Sequence, residues 1–380
     1  MPQYLLQTGN TPALTFYEAS AVVGEQVERL GTQAVQFAAD SDESARTLFG
    51  LLGAAVRVIK IERDWQKYTT SKLGAILVEL LTEQVKDNKL QFAIANWGQQ
   101  ADDEISLSEL KKALLKKNIK VRFIEGARQG LSAAVLLHQP VTELVVWQNE
   151  GQTLIGRTLG VQDIDYWTTK DRGKPYADRK KGMLPPKIAR AMVNLALGTS
   201  TRPVVYDPFC GTGTILLEAL ERGCLVVGSD ADGKAAQGTK DNLRWFADLA
   251  DLPTDFKVFT SQAAHVTPAQ VGQPISAIVT EPFLGKPQTS TEKLAGSFKG
   301  LEKLYLGAFK QWRALLQDQA LVVMIFPRVE LADGRLFELS DFVDKLQPYG
   351  YTRRVDFGQI RYFRPQAQIQ RDIIVFEFKK

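Results

Sequence analysis

Residues 204–219 read Val204-Val205-Tyr206-Asp207-Pro208-Phe209-Cys210-Gly211-Thr212-Gly213-Thr214-Ile215-Leu216-Leu217-Glu218-Ala219. The apolar residues before Asp207 suit a central parallel strand, the two glycines let a ligand approach the backbone, and Ile215 to Ala219 restart with helical spacing. Together they form the pattern of a nucleotide-cofactor loop. A dinucleotide loop reads G-x-G-x-x-G, whereas Leu216 stands where the third glycine belongs and an acid closes the strand. A Walker loop is excluded because no G-K-[ST] follows. A second anchor is expected about twenty residues on, where an acid after a strand accepts ribose hydroxyls. Cys224-Leu225-Val226-Val227-Gly228-Ser229-Asp230 supplies it. Alone, Asp230 is equally a helix cap or a turn acid; paired with the loop, it reads as the ribose acceptor.

The loop resembles motif I of the class I S-adenosylmethionine-dependent methyltransferases, in the D-P-F-C-G-T-G form of nucleic-acid amino-methylases. The resemblance implies that Asp207, Pro208, Phe209, Gly211 and Gly213 cradle the methionine part of S-adenosylmethionine, with Asp207 near its amino group. It places Asp230 and Ala231 on the nucleoside side. Ligands of open α/β sheets sit beyond the carboxyl ends of the strands, so substrate chemistry is expected after the fourth strand, at Thr280-Glu281-Pro282-Phe283-Leu284-Gly285. Similar amino-methyltransferases carry [D/N/S]-P-P-[Y/F/W] there, whose acid or amide accepts hydrogen bonds from the substrate amine while the aromatic stacks on the base. This chain departs from that spelling. Aligned on the terminal glycine, Glu281 takes the acid position and Pro282 the first proline; aligned on Pro282-Phe283, Thr280 takes it. Glu281 is preferred because an acid is retained.

The two cysteines, Cys210 and Cys224, lie in the cofactor turn and at the start of a strand. Both read as packing residues, so a cysteine-assisted attack on a pyrimidine ring is not indicated. Nor can they build a zinc site with only His138 and His265 to assist, and a metal-free protein is expected. His265 reads as a loop or cap residue more than as a base. At 380 residues, 44% hydrophobic and 24% charged, the chain has the length of two or more domains and an ordinary globular composition. No apolar stretch is long enough for a membrane span, and the start lacks the pattern of a signal peptide, so a cytoplasmic protein is expected.

The net charge of +4 is uninformative by itself, but its distribution is not. Between Arg157 and Arg190 the basic residues Lys170, Arg172, Lys174, Arg179, Lys180, Lys181 and Lys187 outnumber the acids and are interleaved with Tyr166, Trp167 and Tyr176. That mix suits phosphates and bases, although a solvated linker is the plain alternative. Glycines and prolines from Tyr166 to Pro186 mark an interdomain joint. Before it, short α/β units are expected, including a basic amphipathic helix from Ser108 to Lys117 capped by Ser106 or Ser108, and a strand at Ala133 to Leu137. The apolar face of that helix is Leu107, Leu110, Leu114 and Leu115. After the joint, strands and helices alternate into a doubly wound parallel sheet, ending with strands at Tyr351 to Phe357 and Asp372 to Phe378 that suit an antiparallel pair.

Gly182-Met183-Leu184-Pro185-Pro186-Lys187-Ile188-Ala189-Arg190 together with D-P-F-C-G-T-G resembles the THUMP-domain RNA methylase family, which includes tRNA guanosine-N2 methyltransferases of the position-10 type. Thr11-Pro12-Ala13-Leu14-Thr15-Phe16-Tyr17-Glu18-Ala19 is similar to that family's N-terminal ferredoxin-like segment. The implied organisation is a ferredoxin-like segment over 1–60, a THUMP-like RNA-binding domain over 61–160, a joint over 161–186 and a Rossmann-like methyltransferase domain over 187–380. The implied partner is tRNA, and the sequence leaves room for an accessory protein subunit. Two other readings stand beside it: a DNA or ribosomal-RNA amino-methyltransferase, and a non-catalytic RNA-binding protein with a relic methylase fold.

Overall fold

A computed structural model of the chain describes residues 1–24, 26–65, 70–98, 106–149, 151–178, 183–198, 203–287, 290–362 and 367–380. They form two compact units. The first comprises Met1–Pro12, Glu25–Leu51 and Ala55–Asp165, and the second Ala13–Gly24, Leu52–Ala54 and Tyr166–Lys380.

The first unit is built on one sheet of β1 (Gln3–Thr8), β2 (Val27–Leu30), β3 (Ala34–Ala38), β4 (Ala55–Trp65), β5 (Lys89–Gly98), β6 (Lys120–Phe123), β7 (Thr142–Asn149) and β8 (Gln152–Val161), in the order β2-β3-β1-β4-β8-β7-β5-β6. Strand β4 runs through residue 60, so the segments 1–60 and 61–160 share one sheet. A core of Leu73, Leu77, Leu81, Phe92, Leu110, Leu114, Leu144 and Ile155 lies against it. The basic helix spans Leu107–Lys116, with Ser106 accepting from the Glu109 amide as its N-cap. Leu110 and Leu114 are its buried pair, Leu115 is exposed, and Lys111, Lys112, Lys116 and Lys117 face solvent. Ala133–His138, expected as a strand, is a helix capped by Ser132; a short apolar run carries no periodicity that separates the two.

The second unit contains the doubly wound sheet. Its strands are β9 (Val204–Asp207), β10 (Leu225–Asp230), β11 (Phe256–Thr260), β12 (Ile275–Thr280), β13 (Leu316–Glu330), β14 (Leu336–Phe337), β15 (Tyr351–Arg353), β16 (Ile360–Tyr362) and β17 (Gln370–Phe378). The path is β11-β10-β9-β12-β13-β17-β15, with the first five parallel and β17 antiparallel to both neighbours. The expected antiparallel pair is therefore present, although its first strand stops at Arg353 and Val355–Phe357 forms a 3-10 turn. Val205 packs on one face with Leu216, Leu243 and Phe246, while Tyr206 packs on the other with Ile278, Tyr305 and Phe309. This alternation sets both faces of a sheet covered by helices.

Connectivity reverses between β9 and β12, which puts the end of each beside the crevice where open α/β sheets bind ligands. Residues 13–24 join this unit through Glu18, whose carboxylate accepts from the Gly53 and Ala54 amides and from Asn194 Nδ2. The stretch read as a turn-rich joint begins as a helix, Ile164–Arg172; its glycines and prolines cluster only after Arg172. Among the described residues, no helix is long and apolar enough to cross a membrane, and no cluster of His, Cys, Asp or Glu is arranged to hold a metal ion.

Candidate active site

Strand β9 delivers Asp207 to the crevice, and the chain then turns through Gly211 and Gly213, both at positive φ (54° and 77°). The helix Thr214–Glu221 follows, with Gly213 as a left-handed N-cap and no side-chain cap. Leu216 of this helix packs directly on β10: a Cβ added at Gly228 would stand 2.5 Å from Leu216 Cδ1. The close helix–strand approach that a dinucleotide loop gains from its third glycine is here gained from a glycine on the strand, which explains the leucine.

The loop is fastened from several sides. The Gly211 amide donates to Asp230 Oδ2 at 3.0 Å, and Asp230 Oδ1 accepts from the Asp232 amide. Thr239 Oγ1 donates to the Gly211 carbonyl. Asn242 Nδ2 donates to the carbonyls of Thr212 and Tyr176, while its Oδ1 accepts from the Tyr176 amide. Asp230 remains half-buried at the rim, with Ala231 exposed beyond it.

Asp207 is buried, and its Oδ1 accepts from Thr280 Oγ1 at 2.6 Å and from the Phe209 amide at 3.1 Å. Burial pushes its carboxyl up to about 7, and the negative charges of Asp230 and Glu281 push the same way. No basic side chain is paired with it among the described residues. A buried acid of this kind beside a glycine turn suits a ligand ammonium, which would hold it ionised. These residues therefore fit the amino-acid end of S-adenosylmethionine, and Asp230 fits its ribose.

The bond between Thr280 and Asp207 ties the end of β12 to that of β9. Thr280 is fully buried and spends its hydroxyl on Asp207. The side chain at the rim is Glu281, whose Oε1 accepts from Arg371 Nε of β17 at 2.6 Å, with the two side chains 16% and 15% exposed. Pro282 and Leu284 are buried, whereas Phe283 is 54% exposed and its carbonyl accepts from Tyr305 Oη at 2.7 Å. The available aromatic is thus Phe283, one place earlier than in the [D/N/S]-P-P-[Y/F/W] pattern. Burial raises the Cys210 thiol well above its ordinary range and the Cys224 thiol to about 12, which suits packing residues and not nucleophiles. His265 is exposed in a turn.

The basic strip divides. Arg172 is exposed, and Arg179, Lys180 and Lys181 lie outside the described residues. Lys170 and Lys174, expected to meet phosphates, are buried. Lys170 is 1% exposed, its Nζ 2.6 Å from Glu218 and also paired with Glu221, and its ammonium lies over the rings of Tyr166, Trp167 and Phe246. Arg190 joins the same carboxylates. Of the aromatics expected to stack on bases, Tyr166 and Trp167 border this cluster, whereas the Tyr176 ring packs against Gly238. Lys174, 6% exposed, donates to Thr214 Oγ1 at 2.8 Å in the first turn after the cofactor loop. Sequence reasoning also missed Arg371 and Asn242, since nothing local marks a residue that reaches the site from a distant strand or helix.

Residues 175–328 match a family described as RMKL-like, methyltransferase domain. The tRNA (guanine(10)-N2)-dimethyltransferase of Methanothermobacter thermautotrophicus is 36% identical over 147 residues, covering 38% of this chain and 39% of that protein. The enzyme of the same name from Methanocaldococcus jannaschii is 29% identical over 266 residues, covering 66% and 71% respectively. The first of these alignments thus spans well under two thirds of the relative's length. Among solved structures, TrmN from Thermus thermophilus is similar over 100% of both chains at 16% identity and a TM-score of 0.58. The protein SMU.472, in complex with SAH, is similar over 100% of this chain and 99% of that one, at 14% identity and a TM-score of 0.53. These two likenesses establish a shared fold: the sheet is that of the Rossmann-like methyltransferases.

Proposed function

We propose that this chain, whose residues 175–328 match the family described as RMKL-like, methyltransferase domain, is an S-adenosylmethionine-dependent RNA methyltransferase acting on the exocyclic N2 of a guanosine in tRNA. The observation that carries the reading is the junction of Asp207, Thr280 and Glu281 at adjacent strand ends, which sets a cofactor cradle beside an amine-handling acid. The names of the curated relatives support guanine N2 of tRNA as the acceptor.

When bound, S-adenosylmethionine supplies an electrophilic methyl group. Asp207 holds the cofactor's ammonium, Pro208, Phe209, Gly211 and Gly213 shape the turn around it, and Asp230 with Ala231 receives the ribose. Thr280 acts through Asp207 by fixing its carboxylate. Glu281 accepts hydrogen bonds from the guanine N2 amine, Pro282 stiffens the turn, and Phe283 stacks on the base. Orientation of the amine toward the methyl group is the main catalytic contribution, since no nucleophile or metal is called for.

The lysines of Leu107–Lys116 and the exposed Arg172, with Arg179, Lys180 and Lys181, are proposed as phosphate contacts. Such contacts position an RNA without choosing its base. In this scheme the segments 1–60 and 61–160 act as the ferredoxin-like and THUMP-like parts, 161–186 as the joint and 187–380 as the catalytic domain of a cytoplasmic enzyme. Mass-spectrometric mapping of tRNA from cells lacking the protein tests the reading. Loss of N2-methylated guanosine at one position is expected, and an unchanged inventory refutes it.

A further inference from the structure

Lys174 is a buried cation at an unfavourable place. Its Nζ donates to Thr214 Oγ1 at 2.8 Å and takes no other acceptor among the described residues. Thr214 opens the helix Thr214–Glu221, whose first turn has no side-chain cap, and its hydroxyl lies 3.3 Å from that of Thr212 inside the cofactor loop. The amino end of a helix is the positive end of its dipole and carries unsatisfied amides, so a buried ammonium there is repelled unless an anion sits with it. Burial lowers the affinity of Lys174 for its proton, and the charges of Asp171 and Glu218 offset this only in part. The neighbouring Lys170 differs, since it pairs directly with Glu218 and Glu221.

We propose that Lys174 binds the α-carboxylate of the cofactor's methionine end. The inference rests on reading the loop as a methyl-donor site. It completes that site chemically: the amino-acid end of the donor is a zwitterion, and the loop presents it with one buried acid, Asp207, and one buried base, Lys174. Neither makes a hydrogen bond to an oppositely charged group among the described residues, and Asp207 suits the ammonium of the zwitterion while Lys174, held at Thr214 beside the loop, suits its carboxylate.

Calorimetry with two ligands tests this. S-adenosylhomocysteine carries the amino-acid end, and 5′-methylthioadenosine has the same nucleoside and thioether without it. Lys174→Met is expected to weaken S-adenosylhomocysteine by about tenfold to a hundredfold, the range for losing a hydrogen bond to a charged group. Binding of 5′-methylthioadenosine should stay within about twofold, and Lys174→Arg should retain most of the affinity for S-adenosylhomocysteine. Equal weakening of both ligands by Lys174→Met, or of neither, overturns the proposal. Should that variant fail to fold, the parental protein decides. The carboxyl methyl ester of S-adenosylhomocysteine is expected to bind about tenfold or more weaker than the free acid, and equal affinities overturn the proposal. If the parental protein binds none of the three, the methyl-donor reading itself fails and this inference with it.

Discussion

Removing the Arg371 guanidinium should slow methyl transfer without weakening the cofactor, and it should do so only while Glu281 is present. Arg371 Nε lies 2.6 Å from Glu281 Oε1, and both side chains are under one fifth exposed, so solvent screens this pair less than a surface ion pair. Two consequences follow from that contact. One carboxylate oxygen is held, leaving the other to face the amine, and the side chain loses its freedom to swing toward solvent. A hydrogen bond between charged groups of this kind contributes about 1.5–3 kcal/mol, so Arg371→Ala is expected to lower kcat by roughly tenfold to a hundredfold. Glu281→Ala should cost about a hundredfold to a thousandfold, as for other groups that meet the transition state directly. The double variant should resemble Glu281→Ala, so that the coupling equals the whole Arg371→Ala loss, about 1.5–3 kcal/mol, because Arg371 acts through the carboxylate. Single-turnover transfer of labelled methyl to bulk tRNA reads the rate, and calorimetry with S-adenosylhomocysteine reads the cofactor. Additive losses, or a fall in cofactor affinity matching the fall in rate, would refute the positioning role. Glu281→Ala turning over at the parental rate would remove Glu281 from the site altogether.

Further outcomes are expected from the same geometry. Asp207 has its carboxyl raised to about 7 from the ordinary 3.8, so its buried ionised form costs stability that is absent below pH 4 and fully felt above pH 7. The ligand-free protein should therefore lose stability as pH rises across that window, and Asp207→Asn should flatten the trend in thermal melts. Binding of S-adenosylhomocysteine at pH 6.5 should release between about half and one proton, measured by calorimetry in buffers of different ionisation enthalpy. Gly228→Ala should destabilise by about 1–3 kcal/mol in urea titrations, with Leu216→Ala recovering part of the loss, because the added Cβ meets Leu216 Cδ1 at 2.5 Å. Lys170→Met, which leaves Glu218 and Glu221 short of a cation, should destabilise by about 3–5 kcal/mol yet leave the salt dependence of tRNA binding unchanged. Reversing Lys112 and Lys116 to glutamate should instead weaken tRNA and flatten that salt dependence at little cost in stability.

The strand, glycine turn and helix around Asp207 were legible because each residue there answers a local demand: β-branched residues for a buried strand, glycines for positive φ and an acid at the strand's end. Asp230 was legible for the same reason. What escaped reading was pairing across the fold. The positive sign of Lys170 and Lys174 is visible in the chain, but Glu218, Glu221 and Thr214, which receive them, come some forty to fifty residues later. A run of lysines looks alike whether it faces solvent or a buried carboxylate. Arg371 is ninety residues from Glu281 and meets it only because β17 inserts beside β13. The shift of the exposed aromatic to Phe283 was hidden in a similar way, since burial of Leu284 depends on the helices packed behind the turn and not on the hexapeptide itself.

Incubation of the purified protein with labelled S-adenosylmethionine and unmodified tRNA, followed by nuclease digestion and mass spectrometry, tests the central claim most directly. N2-methylated guanosine at a single tRNA position is the predicted product. Methyl groups on adenosine, on DNA or on ribosomal RNA alone, or no transfer from a protein that still binds S-adenosylhomocysteine, would contradict it.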